Sequence, residues 1–255
     1  MIVAVHQPHF LPWLGYLDRM ARAELFIVLD HVQFERRNYQ NRTLMLLEGR
    51  ARWLTVPVMQ RSHSERIVDK QIDNRADSGA RHWGHNHFMT LRYAYRHAPF
   101  FDLYGARLRE IFDARWDSLV EFNQTLLDYL REILDIRTPM VRSSSLGVDG
   151  RRSELILNLC ESVGADTYLC GMGGCRTYLD RDAFKRAGIE MIWQDFHHPR
   201  YPQCGEGPFT EGLTALDLLF NCGPLSRSLL RRPVAPLHVP APCASANERK
   251  VIGLR

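Results

Sequence analysis

Strand, helix and strand are packed into the first 29 residues of this chain, and that spacing narrows what it can fold into. Residues 1–5 are a short apolar run that reads as a buried strand, residues 15–23 carry helical apolar spacing, and residues 24–29, Glu-Leu-Phe-Ile-Val-Leu, read as a second buried strand ending at Asp30. Two strands joined by so short a crossover lie parallel, with a right-handed connection. An α/β fold follows, and with it a place for ligands beyond the carboxyl ends of the strands. There the first strand opens onto His6-Gln7-Pro8-His9-Phe10-Leu11-Pro12-Trp13-Leu14-Gly15-Tyr16. The two prolines stiffen this turn, since each fixes its own φ and pushes the residue before it, Gln7 or Leu11, away from helical geometry.

Further along, residues 42–47 and 53–58 are apolar or alternating runs around Glu48-Gly49-Arg50, which predict a hairpin or two adjacent strands able to extend the sheet. Helical spacing takes over across about 81–136, with helices expected at 101–112 and 119–134. The β/α alternation then returns. A strand is expected within 139–146, running into Ser143-Ser144-Ser145, then a helix at 153–163 closed by Gly164, a strand at 167–169 and the turn Gly171-Met172-Gly173-Gly174. A helix at 179–187 closed by Gly188, a strand at 189–196 and a last helix at 215–220 capped by Asn221-Cys222-Gly223 complete the pattern. The fold class predicted is α/β, a mostly parallel sheet flanked by helices, with a helical insertion at about 81–136. Residues 1–232 are expected to form a single domain, and the Pro-, Ala- and Ser-rich residues 233–255 a poorly ordered or partner-bound tail.

Composition excludes several function classes. Apolar runs fall short of the roughly 18 residues of a spanning helix, and the amino terminus lacks a basic region followed by a long apolar one, so a cytoplasmic protein with no membrane span is expected. The six cysteines have neither zinc-ribbon spacing nor the density of a disulfide scaffold, and read as thiols. A net charge of +4 carried mostly by arginine hints at an anionic ligand, a carboxylate or phosphate. Aromatic residues are not interleaved with a basic stripe, so no nucleic acid is expected as partner. Nothing in the sequence sets an oligomeric state.

The candidate site residues gather at strand ends. His6 and His9 have the chemistry for phosphate contact, metal ligation or acid–base work, and Gln7 and Tyr16 of the same turn join them as substrate-binding candidates. Asp30 could orient either histidine or bind a substrate hydroxyl. Gln33, Tyr39, Asn41 and Arg42 place polar groups after the second strand, suiting a hydroxyl-rich or phosphorylated ligand. Gly171 and Gly173 follow a strand and precede a helix, where backbone amides can approach an anion. His198, with Tyr201 and Gln203, lies past the 189–196 strand as a second cluster. His82, His85 and His87 invite a metal reading, but no cysteine or carboxylate completes a ligand set, and no metal site is expected. Cys170 or Cys175 would need a base or positive field to act as a nucleophile.

Longer stretches carry a family resemblance. The turn from His6 to Tyr16 is joined by Leu29-Asp30-His31-Val32-Gln33-Phe34, Tyr39-Gln40-Asn41-Arg42 and Trp53-Leu54-Thr55-Val56-Pro57. To these add Arg152-Ser153-Glu154-Leu155, Gly164-Ala165-Asp166-Thr167-Tyr168-Leu169, Tyr178-Leu179-Asp180, Phe196-His197-His198-Pro199 with Tyr201-Pro202-Gln203, and Asp217-Leu218-Leu219-Phe220-Asn221. From Met1 to about Gly223 the chain resembles the WbqC family, which implies a bacterial protein of surface-polysaccharide (O-antigen) or natural-product biosynthesis without supplying a reaction. Cys170 stands where the resemblance leads one to expect serine, which weighs against a cysteine nucleophile there. The first module is also similar, over residues 6–34, to pantothenate synthetase and other nucleotidylyl-transferase-like enzymes. In those, paired histidines face ATP phosphates, which implies ATP as a cofactor, with Ser143 to Ser145 or Gly171 to Gly174 standing in for the companion phosphate motif.

Together these readings lead to an expected transferase that forms an amide by moving an acyl or aminoacyl group onto an amine. His6 and His9 would bind the activated donor, His198 or His6 would take the amine proton, and Gln33, Asn41 and Arg42 would hold the small-molecule substrate, all converging in one crevice. Two other classes stay open: an ATP-dependent amide ligase, and a non-catalytic protein that presents a sugar nucleotide or carrier-bound acyl group.

Overall fold

A computed structural model describes residues 1–62, 64–76, 82–171, 178–205 and 207–231. The expected first unit is present as β1 (Ile2–His6), α1 (Leu14–Arg22) and β2 (Leu25–Val28), with His6 opposite Val28 in a parallel register. A hairpin of β3 (Arg42–Leu47) and β4 (Arg50–Thr55) comes next, followed by α2 (Trp83–Tyr95), α3 (Phe101–Asp113) and α4 (Leu119–Leu134). The alternation resumes with β5 (Met140–Arg142), α5 (Ser153–Ser162), β6 (Thr167–Cys170), α6 (Arg181–Arg186) and β7 (Glu190–Trp193), and closes with α7 (Ala215–Cys222) and α8 (Ser226–Leu230).

The fold is α/β. Among the described residues, five strands form one all-parallel sheet in the order β5-β2-β1-β6-β7. The first strand is central, and the chain winds outward from it first one way and then the other. The connections therefore part company between β1 and β6, and it is at such a switch point that open parallel sheets leave a crevice. Because side chains alternate across a strand, each face buries its own set. Ala4, Phe26, Val28 and Leu169 face a large core with α1, α4 and α7, whereas Val3, Val5, Ile27, Leu29 and Tyr168 face a smaller one with α5 and α6.

Several local expectations are corrected. The second hairpin strand begins at Arg50 rather than Trp53, because Glu48 and Gly49 both take positive φ (52° and 70°) and turn the chain in two residues. The hairpin stands as its own two-stranded sheet and does not extend the parallel one. The expected helix at 179–187 begins at Arg181, since the Asp180 carboxylate caps it by accepting from the Ala183 amide at 3.0 Å. The strand at 139–146 ends at Arg142, where Ser143–Ser145 wind into a 3-10 turn. Helix α8 follows the predicted stop at Gly223. Residues 233–255, the expected tail, lie outside the described residues.

Gly164 closes α5 as expected, at φ 69°, with its amide donating to the Glu161 carbonyl at 3.0 Å. Among the described residues, nothing lies within 4 Å of where a Cβ would stand. Gly164→Ala thus isolates the backbone penalty, and urea unfolding should show a loss of about 1 kcal/mol. An unchanged midpoint would mean that this turn does not hold the left-handed geometry.

Candidate functional site

At the carboxyl end of β1 the turn builds a cluster of rings. The His6 Nδ1 lies 2.9 Å from the Gln7 carbonyl oxygen, which can only accept, so Nδ1–H donates and Nε2 keeps its lone pair. His6 meets His9 edge-on at 4.5 Å between ring centres and Tyr16 at 4.8 Å, and His9 lies 5.0 Å from Tyr16. From His9 the ladder runs outward. Tyr39 stacks on His9 at 5.2 Å, Trp53 meets Tyr39 at 5.4 Å, and the Arg42 guanidinium sits 3.9 Å above Trp53, which is 43 % exposed. A row of rings thus joins the buried switch point to the surface of the hairpin.

Burial sets the protonation of this cluster. His9 is 7 % exposed, its Nδ1 has no hydrogen-bond partner among the described residues, and desolvation brings its pKa down to about 3. It is neutral at physiological pH. The Tyr16 hydroxyl is also buried without a hydrogen-bond partner among the described residues, and burial pushes its pKa well above the usual phenol range.

The turn itself is braced from the hairpin side. Gln40 Nε2 donates to Gln7 Oε1 at 2.8 Å, the Phe10 amide to the Tyr39 carbonyl at 2.9 Å, and Thr43 Oγ1 to the Leu11 carbonyl at 2.9 Å. Leu11 departs from helical geometry in an unexpected direction: it is fully buried at φ 45°, in the left-handed region, where a bulky residue is strained and the surroundings must hold it. Asn41 spends its amide on the Val56 carbonyl at 3.0 Å, and Arg42 bonds the Arg37 carbonyl, so both fasten the root of the hairpin as well as edging the ladder. Gln33 is exposed beyond β2.

Asp30 does not orient His6 or His9. It is fully buried, and its carboxylate accepts from Ser143 Oγ at 3.1 Å, the Ser144 amide at 2.9 Å and Ser144 Oγ at 2.8 Å. The hydroxyls of Ser143 and Ser144, considered as a phosphate cradle, are committed to this carboxylate. His31, which drew no role in the sequence beyond its place in a motif, puts Nδ1 2.6 Å from Ser143 Oγ.

Gly171 stands at the end of β6, and a Cβ there would collide with the guanidinium of Arg19, a buried residue of α1 that sequence reasoning passed over as one polar position on an amphipathic helix. Gly173 and Cys175 lie outside the described residues. Cys170 is fully buried, a poor setting for a nucleophile.

The second cluster meets the first turn through Phe196, which lies edge-on to Trp13 at 5.6 Å. His198 Nδ1–H donates to the Pro199 carbonyl at 3.0 Å, and its rings for company are Phe196, Tyr201 and Phe209. Among the described residues, no hydrogen bond or ring contact joins it to His6 or His9. Tyr201 and Gln203 instead donate to Asp217 Oδ2 at 2.8 and 2.9 Å. Asp217 is fully buried, which raises its pKa, and it ties the 201–210 segment to α7. Its signal in the sequence was a lone acid inside the apolar run of that helix. The three histidines near 85 serve the scaffold: His82 caps α2 at Gly84, His85 pairs with Asp113 at 3.0 Å, and His87 bridges the Trp83 and Thr55 carbonyls. Among the described residues, no group of three or more His, Cys, Asp or Glu is arranged to hold a metal ion. No helix among them is long and apolar enough to cross a membrane.

Comparison with known proteins agrees with this geometry in its extent. The family model described as the WbqC-like protein family matches residues 7–228, a span that begins one residue after His6 and holds His9, Tyr16 and the second cluster. An uncharacterized protein of Mycobacterium tuberculosis is 28 % identical over 230 residues, covering 90 % of this chain and 97 % of its own length. No solved structure matches the chain.

Proposed function

The chain belongs to the WbqC-like protein family, and from that premise we propose that it is a bacterial biosynthetic transferase that forms an amide, moving an acyl or aminoacyl group onto an amine in surface-polysaccharide or natural-product biosynthesis. The observation that carries this reading is the stiff turn after β1, which sets the His6 Nε2 lone pair and an aromatic ladder at the switch point of a parallel sheet. Acyl transfer to an amine needs a donor held in place and an imidazole able to move a proton, and both are at hand on this rim. His6 and His9 bind the activated donor, and the Tyr39, Trp53 and Arg42 steps of the ladder take the ring-bearing or anionic part of the substrate. The ATP-dependent variant has less support. A histidine pair facing phosphates gains most from positive charge, and burial keeps His9 neutral.

The test is incubation of the purified chain with a panel of acyl and aminoacyl thioesters or esters and amino sugars, read by mass spectrometry. The product expected has the summed mass less the leaving group, with no AMP or ADP released. His6→Ala should raise the KM for the donor by about 10- to 100-fold, the loss of one hydrogen bond in a desolvated site. Product that appears only with ATP present would replace transfer by ligation. Full retention of donor affinity in His6→Ala would remove the turn from the site.

A further inference from the structure

We infer that His31 is the general base of this rim, held in one tautomer by a relay through Ser143 to the buried carboxylate of Asp30. The inference deepens the amide-transfer reading and rests on it for the identity of the proton donor.

The hydrogen-bond inventory around Ser143 Oγ is what fixes the tautomer. Three groups crowd that oxygen: the Asp30 amide at 3.0 Å, Asp30 Oδ1 at 3.1 Å and His31 Nδ1 at 2.6 Å. A serine hydroxyl has one proton to give. Given to His31, it would leave a lone pair of Oγ against the carboxylate oxygen in a buried, poorly screened position. Given to Asp30 Oδ1, every group is paired: the amide and the His31 Nδ1–H donate to Oγ, and Oγ–H donates to the carboxylate, the stronger charge-assisted arrangement. His31 therefore carries its proton on Nδ1 and keeps the lone pair of Nε2, on the other edge of a half-buried ring.

The placement suits a base. The Leu29 amide donates to the His6 carbonyl at 2.8 Å, so His31 lies two residues past the point where β2 is tied to the end of β1. Its segment is braced by the 3-10 turn Ile67–Asp69: the Val68 amide donates to the Asp30 carbonyl at 2.8 Å and the Ile67 amide to the Val32 carbonyl at 2.9 Å. A base oriented by a third group on a rigid support is the arrangement general-base catalysis needs.

With an acyl thioester as donor the step balances. The amine nitrogen bonds to the carbonyl carbon, the carbon–sulfur bond breaks with its electron pair going to sulfur, and one amine proton moves to His31 Nε2. The imidazolium so formed is stabilised through Ser143 by the Asp30 carboxylate and returns the proton to the departing thiolate.

The experiment uses the full chain labelled with 15N-histidine, the His31 ring being assigned by its loss in His31→Asn. Long-range proton–nitrogen spectra are expected to show His31 as the Nδ1–H tautomer, and Ser143→Ala to release it toward the Nε2–H form. Diethyl pyrocarbonate, itself an activated acyl compound, should modify His31 in the folded wild type, with His197, whose side chain is 80 % exposed, as the internal reference. In the amide-forming assay His31→Asn should lower kcat by about 100-fold or more with the donor KM unchanged, unlike His6→Ala. An Nε2–H tautomer in the wild type, no modification of His31 while His197 reacts, or full kcat in His31→Asn would each overturn the inference. The diethyl pyrocarbonate modification, located by peptide mass spectrometry on the wild type, needs no variant to fold. Absence of any amide product would count against the transferase reading alone, while the tautomer and the modification would still decide the relay.

Discussion

Asp30→Ala is expected to destabilise the protein by about 3 kcal/mol, the loss of a buried carboxylate that accepts three hydrogen bonds. Truncation leaves the buried Ser143 hydroxyl unanswered, while Ser144, which is exposed, can turn its amide and hydroxyl to water. These bonds hold the end of β2 to the end of β5 across 113 residues of chain. Asp30→Asn should be milder, about 2 kcal/mol, because its carbonyl oxygen still accepts while its amide nitrogen cannot. Urea unfolding of the two variants beside the wild type measures both. A loss below about 1 kcal/mol for alanine, less than one charged hydrogen bond, would show the knot to be loose.

The second large effect is one of pH. Burial lowers the His9 pKa from 6.5 to about 3, so between these values the unfolded chain binds a proton that the folded chain refuses. Stability then rises with pH across that window: the contribution is complete above pH 6.5 and declines as the solution is acidified toward pH 3. At pH 5 the loss amounts to about 2 kcal/mol, and across the whole window to about 5 kcal/mol. Asp18 and Asp217 have raised pKa values and work in the opposite sense, gaining relative stability as pH falls. The difference between wild type and His9→Phe, each unfolded in urea at pH 7 and pH 5, separates the histidine from these carboxylates. The phenylalanine variant should lose about 2 kcal/mol less on acidification; equal losses would place His9 in contact with water.

How much of this could be read from residues alone depends on the range of the interactions involved. Helix α4 spans 119–134 and β3 spans 42–47, both as expected, because their apolar positions repeat with the period of the element and face one core. Strand β4 was displaced in expectation because Arg50, Ala51, Arg52 and Trp53 are all exposed, so the run lacks the apolar alternation that marks a half-buried strand. Helix α8 was missed for a related reason: Gly223 and Pro224 read as a terminator, whereas they form a short 3-10 turn that leads straight into Ser226. At the site, His6 and His9 were legible from their position after a strand. Asp30 was legible as a strand-end acid, yet its partners lie at 143 and 144, and no local pattern announces a contact of that length. His198 was assigned to the same crevice on the ground that all strand ends share one rim. Its own partners could not be read that way: the irregular 196–214 segment sets it among Phe196, Tyr201 and Phe209, where Asp217 organises its neighbours.

The hairpin and helices α2 to α4 are all spliced into the single connection between β2 and β5. Of the groups at the rim, His6 and His9 lie at the end of β1 and in the turn after it, and Ser143 and Ser144 after β5, whereas Asp30 and His31 stand at the very start of this connection. Because Gln40, Tyr39 and Thr43 of the same connection bond the turn that carries His6 and His9, a change in the length of the hairpin would reach the imidazoles directly rather than stay at the periphery.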